Sequence, residues 1–264
     1  MGFMLYGIFW LVSFGASIIG AICGIGGGVI IKPVLDAFGV LSVATISFLS
    51  GCTVLAMSCY NVLKGMRSGE SKVDTAIGVP LAVSAAVGGI CGKMLFQWVA
   101  GLFPDPNTAG AVQAGCLMIA TLGTLLYTLN RSRIGTRNTS GKCICIVIGF
   151  CLGVLSSFLG IGGGPFNLAV LFYFFSMGTK QAAQNSLYII LYSQAASLIW
   201  TILTGTVPEF PPVLLLLMVL GGILGAAAGR SINRRIDDKI VDRLFAGLMI
   251  VIIGINLYNI WKFI

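Results

Sequence analysis

No charged residue precedes Lys32, and uncharged or nearly uncharged apolar runs of similar length recur along the whole chain. A helix needs about 20 apolar residues to cross ~30 Å of hydrocarbon. Only 9% of the 264 residues are charged and 57% are hydrophobic, where a soluble domain carries ~25% charged residues. Such a chain has too little polar surface to face water on all sides, and too little charge to stay disordered. These observations predict an all-α polytopic membrane protein. The absence of histidine excludes His-based catalytic triads and His-metal sites, and no metal or cofactor is expected. No charged n-region precedes the opening run, so no cleavable signal is expected.

The eight cysteines fall in or beside apolar stretches, and the nearest pair, Cys143 and Cys145, has the wrong spacing for zinc. They are expected to be small buried apolar side chains. Candidate spans are 3–23, 42–63, 74–99 and 108–129, then 143–159, 181–204, 211–229 and 241–261. Two shorter apolar pieces, Val29 to Val40 and Pro165 to Met177, each follow a glycine cluster. Lys93 and Lys180 are expected at span ends.

The order of these features repeats. Gly24-Ile25-Gly26-Gly27-Gly28 returns in the second half of the chain as Gly160-Ile161-Gly162-Gly163-Gly164. Gly123-Thr124-Leu125-Leu126-Tyr127 resembles Gly254-Ile255-Asn256-Leu257-Tyr258, and Gly88 to Gly92 resembles Gly221 to Gly225. Three matches in one order predict a duplicated chain. Residues 1–130 form the first repeat, 131–142 a basic cytoplasmic linker and 143–264 the second repeat.

Charge fixes the expected topology. Twelve of the 16 basic residues lie in three places: Lys64, Arg67 and Lys72; Arg131, Arg133, Arg137 and Lys142; Arg230, Arg234, Arg235, Lys239 and Arg243. If each glycine-broken unit crossed once, these would divide seven against five across the membrane, which violates the positive-inside rule. If each broken unit returns to its starting side as a hairpin, all twelve lie in the cytoplasm. The opposite loops then hold Asp105 and Glu209, and both termini lie outside. Each half becomes a glycine-broken, re-entrant-like helical hairpin plus three transmembrane helices. Because each half has an odd number of effective crossings, the repeats are inverted.

Five residues with four glycines interrupt a helix, and free backbone at membrane depth must be buried in protein or line a wet cavity. The short helix after each cluster presents unpaired N–H groups and the positive end of its dipole. That is an anion site built from main chain, with Gly24, Gly26, Gly27 and Gly28 in one half and Gly160, Gly162, Gly163 and Gly164 in the other. Discontinuous helices meeting near the midplane are a recurring transporter design. Spacing of four at Gly88, Gly92, Gly221, Gly225 and Gly229 reads instead as close helix packing.

The duplicated G-x-G-G-G, each copy followed by a short apolar segment, resembles the sulfite exporter TauE/SafE family over nearly the whole chain. Gly24 to Gly28 with Pro33 and Leu35 carries the pattern in the first half. The second half departs from it: Ala169 stands where the first half has Pro33, and Pro165 follows the glycines directly. Pro165 suits a first helical position but removes one N–H donor. The resemblance implies transport of sulfite, thiosulfate, sulfonates or related small organic anions across the plasma membrane.

Further candidates lie within the spans. Lys32 either neutralises the anion or gates its path, or else it pairs with Asp36 four residues on or snorkels to a boundary. Asn167 donates either to an oxyanion or to a neighbouring helix. Asn185, Tyr188 and Tyr192 share a helix face on an unusually polar segment and form either a substrate path or packing glue. The expected activity is that of a secondary transporter for a small anion, with no nucleic acid partner and with lipid as its surroundings. The alternative is an anion channel on the same helix ends. An intramembrane enzyme using Cys23 lacks a base, and no Walker A pattern is present.

Overall fold

The computed structural model describes residues 3–69, 71–104, 106–131, 133–139 and 141–263. Asp105, assigned above to an opposite loop, and Ser132 and Ser140 of the linker lie outside the described residues. Among the described residues ten helices form and no strand. In the first half α1 (Phe3–Cys23) and α2 (Gly28–Phe38) flank the glycine cluster, and α3 (Val43–Arg67), α4 (Thr75–Gly101) and α5 (Pro106–Asn130) follow. In the second half α6 (Lys142–Phe158) and α7 (Pro165–Phe175) flank the cluster, and α8 (Thr179–Leu203), α9 (Pro212–Asn233) and α10 (Asp238–Phe263) follow. Seven of these are long and apolar enough to cross a membrane: α1, α3, α4, α5, α8, α9 and α10. The two arms after the glycines have 11 residues each, about 16 Å, or half of the hydrocarbon.

Local chemistry sets several helix ends. Ser42 accepts the Thr45 N–H at 3.1 Å and opens α3, and Asp74 accepts the Ala76 N–H at 3.0 Å and opens α4. Caps of this kind contribute about 1 kcal/mol each. Gly39 closes α2 and Ser176 closes α7, both in the left-handed region (φ 65° and 51°).

Close packing places the hairpins. Cβ atoms at Gly225 and Gly229 would enter the main-chain carbonyls of Phe14 and Ile18, so α9 lies tight against α1. Cβ atoms at Gly88 and Gly92 would likewise enter the carbonyls of Phe150 and Val154, so α4 lies tight against α6. This is the packing use of glycine expected from the spacing of four. The correspondence is shifted by one helical turn from the sequence match, since Gly88 and Gly92 have Gly225 and Gly229 as counterparts, not Gly221 and Gly225. Glycines spaced by about one turn look alike after a slip of one turn.

In both pairs the residue numbers rise together, so α1 runs with α9 and α6 with α4. Arg230, near the end of α9, donates to the Asn61 carbonyl at 3.3 Å and the Ser68 hydroxyl at 3.1 Å. The end of α9 therefore meets the end of α3 and the start of α4, and α4 and α9 run in opposite senses. The two hairpins accordingly enter the bundle from opposite ends. Each folds back: Ile31 and Leu35 of α2 share a buried cluster with Phe9 and Ala16 of α1. At the end of α7, the Tyr173 and Phe174 carbonyls accept the N–H groups of Arg137 and Thr139 in the linker.

The basic loops gather at one end of the bundle. There Lys72 N–H donates to Gln184, Lys180 to the Ile236 carbonyl at 2.8 Å and Arg131 to the Met177 carbonyl at 3.3 Å. At the other end the Thr45 hydroxyl donates to the Glu209 carbonyl at 3.4 Å, and Lys262 donates to the Ala37 carbonyl at 2.9 Å. Leu11, Trp98, Ile119, Ile199 and Ile250 are exposed, as side chains facing lipid are. Cys116, Cys143 and Cys151 are exposed too, which corrects the expectation that all eight cysteines are buried. A thiol is apolar enough for an acyl-chain surface, so an apolar span does not dictate which way its cysteines face.

Candidate functional site

The two glycine clusters break alike at their first and third residues and differ after that: Gly27 is right-handed (φ −66°), whereas Gly163 has φ 145° and Gly164 is extended. Gly24 and Gly26 have φ of 76° and 71°, and Gly160 and Gly162 have 65° and 75°. Alternating left-handed residues of this kind suit glycine, since a side chain there costs about 1–2 kcal/mol per residue. Ile25 and Ile161, between the glycines, are fully buried.

Each break touches the long helix of the other half as well as its own, since Gly26 and Gly28 also lie against Val54 and Gly163 against Ile190. Gly24 packs on Ala183 of α8, and a Cβ on Gly26 would lie 3.4 Å from Ile190 of the same helix. A Cβ on Gly160 would lie 2.6 Å from the Ser47 hydroxyl of α3, and one on Gly162 would lie 2.6 Å from Val54. The interval from Ser47 to Ala183 equals that from Val54 to Ile190, and both equal the interval between the two glycine clusters. The breaks also touch each other, because Gly28 lies directly against the Ile161 carbonyl. The glycines named from the sequence are thus brought together, and Ser47 holds them with Ala183, Ile190 and Val54, three residues that sequence reasoning missed. The repeat offset applied to α3 and α8 was the signal that could have found them.

The helix starts differ in donors. In the first break the Gly27 N–H donates to Met57 Sδ at 3.1 Å. In the second, Pro165 occupies the first turn of α7 and supplies no N–H. Around the breaks lie polar atoms without a hydrogen-bond partner: the hydroxyls of Ser17 and Ser47 and the Oδ1 of Asn167. Asn167 is 1% exposed, and its amide reaches Ser186 at 3.5 Å. Unpaired buried polar groups cost about 1–3 kcal/mol each, so the interior here is suited to a polar guest.

Lys32 and Asp36 form a 2.6 Å ion pair, with side chains 4% and 5% exposed. Of the readings of Lys32, pairing is therefore realised. The same side chain also reaches the second break, since its Cε would lie 3.3 Å from a Cβ on Gly160.

Asn185, Tyr188 and Tyr192 do not meet the breaks. Two residues along a helix is about 200° of rotation, so the face with Asn185 lies opposite the face with Ala183 and Ile190. Asn185 donates to the Lys72 carbonyl at 3.3 Å and the Gln181 carbonyl at 2.9 Å. The Tyr188 and Tyr192 hydroxyls are 3.3 Å apart, and Tyr192 is 39% exposed. These three residues lie on the face of α8 away from the breaks, whereas Gln194 lies beside Gly162 and Gly51.

Two openings approach the breaks from opposite ends. A vestibule at the basic end is lined by Ala21, Asn61, Lys180, Ala183, Arg230 and Asn233, and through Ala183 it reaches Gly24. A narrow cleft on the other side is lined by Ser47, Lys93, Ser157, Gly160, Gln194 and Ser197. Ile25, Ile161, Val54 and Ile190, all fully buried, stand between them. Lys180 sits at the start of α8 as expected and forms a 3.9 Å ion pair with Asp238. Lys93 does not sit at a span end. It lies about two turns before the end of α4 at Gly101 and faces the cleft, because the apolar run continues past it to Trp98 and Val99.

The family model described as TauE, sulfite exporter TauE/SafE, matches residues 9–257. No curated protein and no solved structure matches the chain. The matched span takes in both hairpins, the crossed breaks and both openings, so the chain belongs to the sulfite exporter TauE/SafE family.

Proposed function

We infer that this membrane protein, from a family of anion and sulfite transport, is a secondary transporter that moves its anion by alternating access. The anion, sulfite, thiosulfate, a sulfonate or a related small solute, binds where the two glycine breaks cross. The observation that carries the reading is that crossing. Each break rests on the equivalent place of the other half's helix, at Ala183 and Ile190 or at Ser47 and Val54. Main-chain N–H groups at the starts of α2 and α7 and the positive ends of those helices supply attraction without a buried free cation. Unpartnered hydroxyls of Ser17 and Ser47 supply further donors.

In this reading the halves are inverted repeats, 1–130 and 143–264, joined by the linker 131–142. Rocking one hairpin on α8 and the other on α3 opens one approach as it closes the other. The gathered basic loops lie in the cytoplasm by the positive-inside rule, which puts both termini outside the plasma membrane. The test is counterflow in proteoliposomes, with sulfite, thiosulfate, sulfonates and carboxylates offered in turn. Saturable exchange of labelled for unlabelled anion supports the reading. Ohmic single-channel currents overturn it in favour of an anion channel on the same helix ends.

A further inference from the structure

The vestibule and the cleft are built from equivalent positions. The interval that relates the two glycine clusters also relates Ala21 of the vestibule to Ser157 of the cleft, Asn61 to Ser197, and Ser47 to Ala183. Lys93 of the cleft and Arg230 of the vestibule are separated by the same interval that relates Gly88 to Gly225 and Gly92 to Gly229. The two cations therefore occupy matching places on α4 and α9. One cation of the pair belongs to the gathered basic end. The other is in the interior of a span, where a charge is costly and marks function by default.

Lys93 has no ion pair among the described residues; its ammonium lies 5.8 Å from the Phe96 ring. No carboxylate lines the cleft. The hydroxyls of Ser47 and Ser157, 5% and 4% exposed, line it and have no hydrogen-bond partner. A cation without a counter-ion, two unpaired hydroxyls, the Gln194 carboxamide and Gly160 thus line one narrow cleft.

We propose that this cleft is a second anion subsite, charged by Lys93, which receives the substrate when the breaks open away from the basic end. Arg230 plays the matching part on the basic side. Cation and hydroxyls together recognise a compact solute with several oxygen acceptors, such as sulfite or thiosulfate. The proposal rests on the crossed-break reading and deepens it by giving each approach its own cation.

The experiment measures exchange of radiolabelled sulfite and thiosulfate in right-side-out and inside-out vesicles. Wild type, Lys93→Gln, Lys93→Arg and Gly28→Ala are compared at equal abundance, with melting temperature measured on the same preparations. Loss of a charge-assisted contact raises half-saturation by about tenfold or more, and for Lys93→Gln this is expected only for anion offered at the face away from the basic loops. Lys93→Arg is expected to restore most of the affinity. Wild-type half-saturation at both faces in Lys93→Gln overturns the subsite. Equal losses in Lys93→Gln and Lys93→Arg overturn it as well, since shape and not charge would then matter. If Lys93→Gln behaves as wild type while Gly28→Ala loses exchange, the subsite falls and the crossed-break reading stands. Undiminished exchange in Gly28→Ala removes the reading beneath it.

Discussion

Replacing Gly28 by alanine isolates the contact between the two breaks. Gly28 is the first residue of α2 and its φ is not positive, so alanine introduces no backbone strain there. Its Cβ would enter the Ile161 carbonyl group, 2.7 Å from the carbonyl carbon, and would lie 2.9 Å from Val54 Cγ2. Main chain cannot swing aside as a flexible side chain can, so the breaks must separate. Forcing one extra carbon into a packed interior costs about 1–3 kcal/mol. At about 1.4 kcal/mol per tenfold, exchange through the crossed state falls by about 5- to 150-fold. The assay is anion counterflow in proteoliposomes, with protein abundance and melting temperature measured on the same preparations. Gly15→Ala is the control: it sits in α1 with no neighbouring atom within 4 Å of its Cβ, and alanine favours the helix by about 1 kcal/mol. Equal exchange in Gly28→Ala and Gly15→Ala would refute the argument that the breaks must touch to work.

Removing one partner of the buried ion pair should be severe: Asp36→Asn strands the Lys32 ammonium and is expected to cost about 3–5 kcal/mol, read as a lowered melting temperature in detergent. The double variant Lys32→Met/Asp36→Leu should recover much of that loss, and failure to recover would mean that the pair does more than satisfy itself. On α8, Tyr192→Phe should change exchange by less than about twofold, as an exposed substitution away from the site does. Gln194→Ala should reduce exchange strongly, and the reverse order would restore the polar face to the substrate path. In a cysteine-free background, a membrane-impermeant thiol reagent should label Pro208→Cys in intact cells but Lys72→Cys only after permeabilisation; the opposite pattern would invert the topology.

The helical class and the two breaks were legible because each rests on one-dimensional signals. Uncharged runs long enough to cross the hydrocarbon leave little but spans, and four glycines in five residues cannot hide in a helix. The gathering of basic loops at one end was legible from charge position alone. The partners of the breaks were not. Ala183, Ile190 and Val54 are ordinary apolar residues in buried helices, and only the repeat offset applied to α3 and α8 distinguishes them. Polarity alone did not tell the two faces of α8 apart: Asn185, Tyr188 and Tyr192 face Lys72, Gln181 and each other and not the breaks. Lys93 was read as a terminal residue because a lysine in an apolar run suggests a boundary. The one-turn slip at Gly221 has the same origin: a motif that repeats every four residues cannot set its own register.

The central claim is that main-chain amides at both crossed breaks hold the anion together. Hydrogen exchange of the purified protein, with and without saturating sulfite or thiosulfate, tests it amide by amide. Slower exchange is expected at 24–30 and at 160–167 together, with a smaller effect around Pro165 because it carries no N–H. Protection of one segment alone, or of neither while the anion is still transported, would contradict the account.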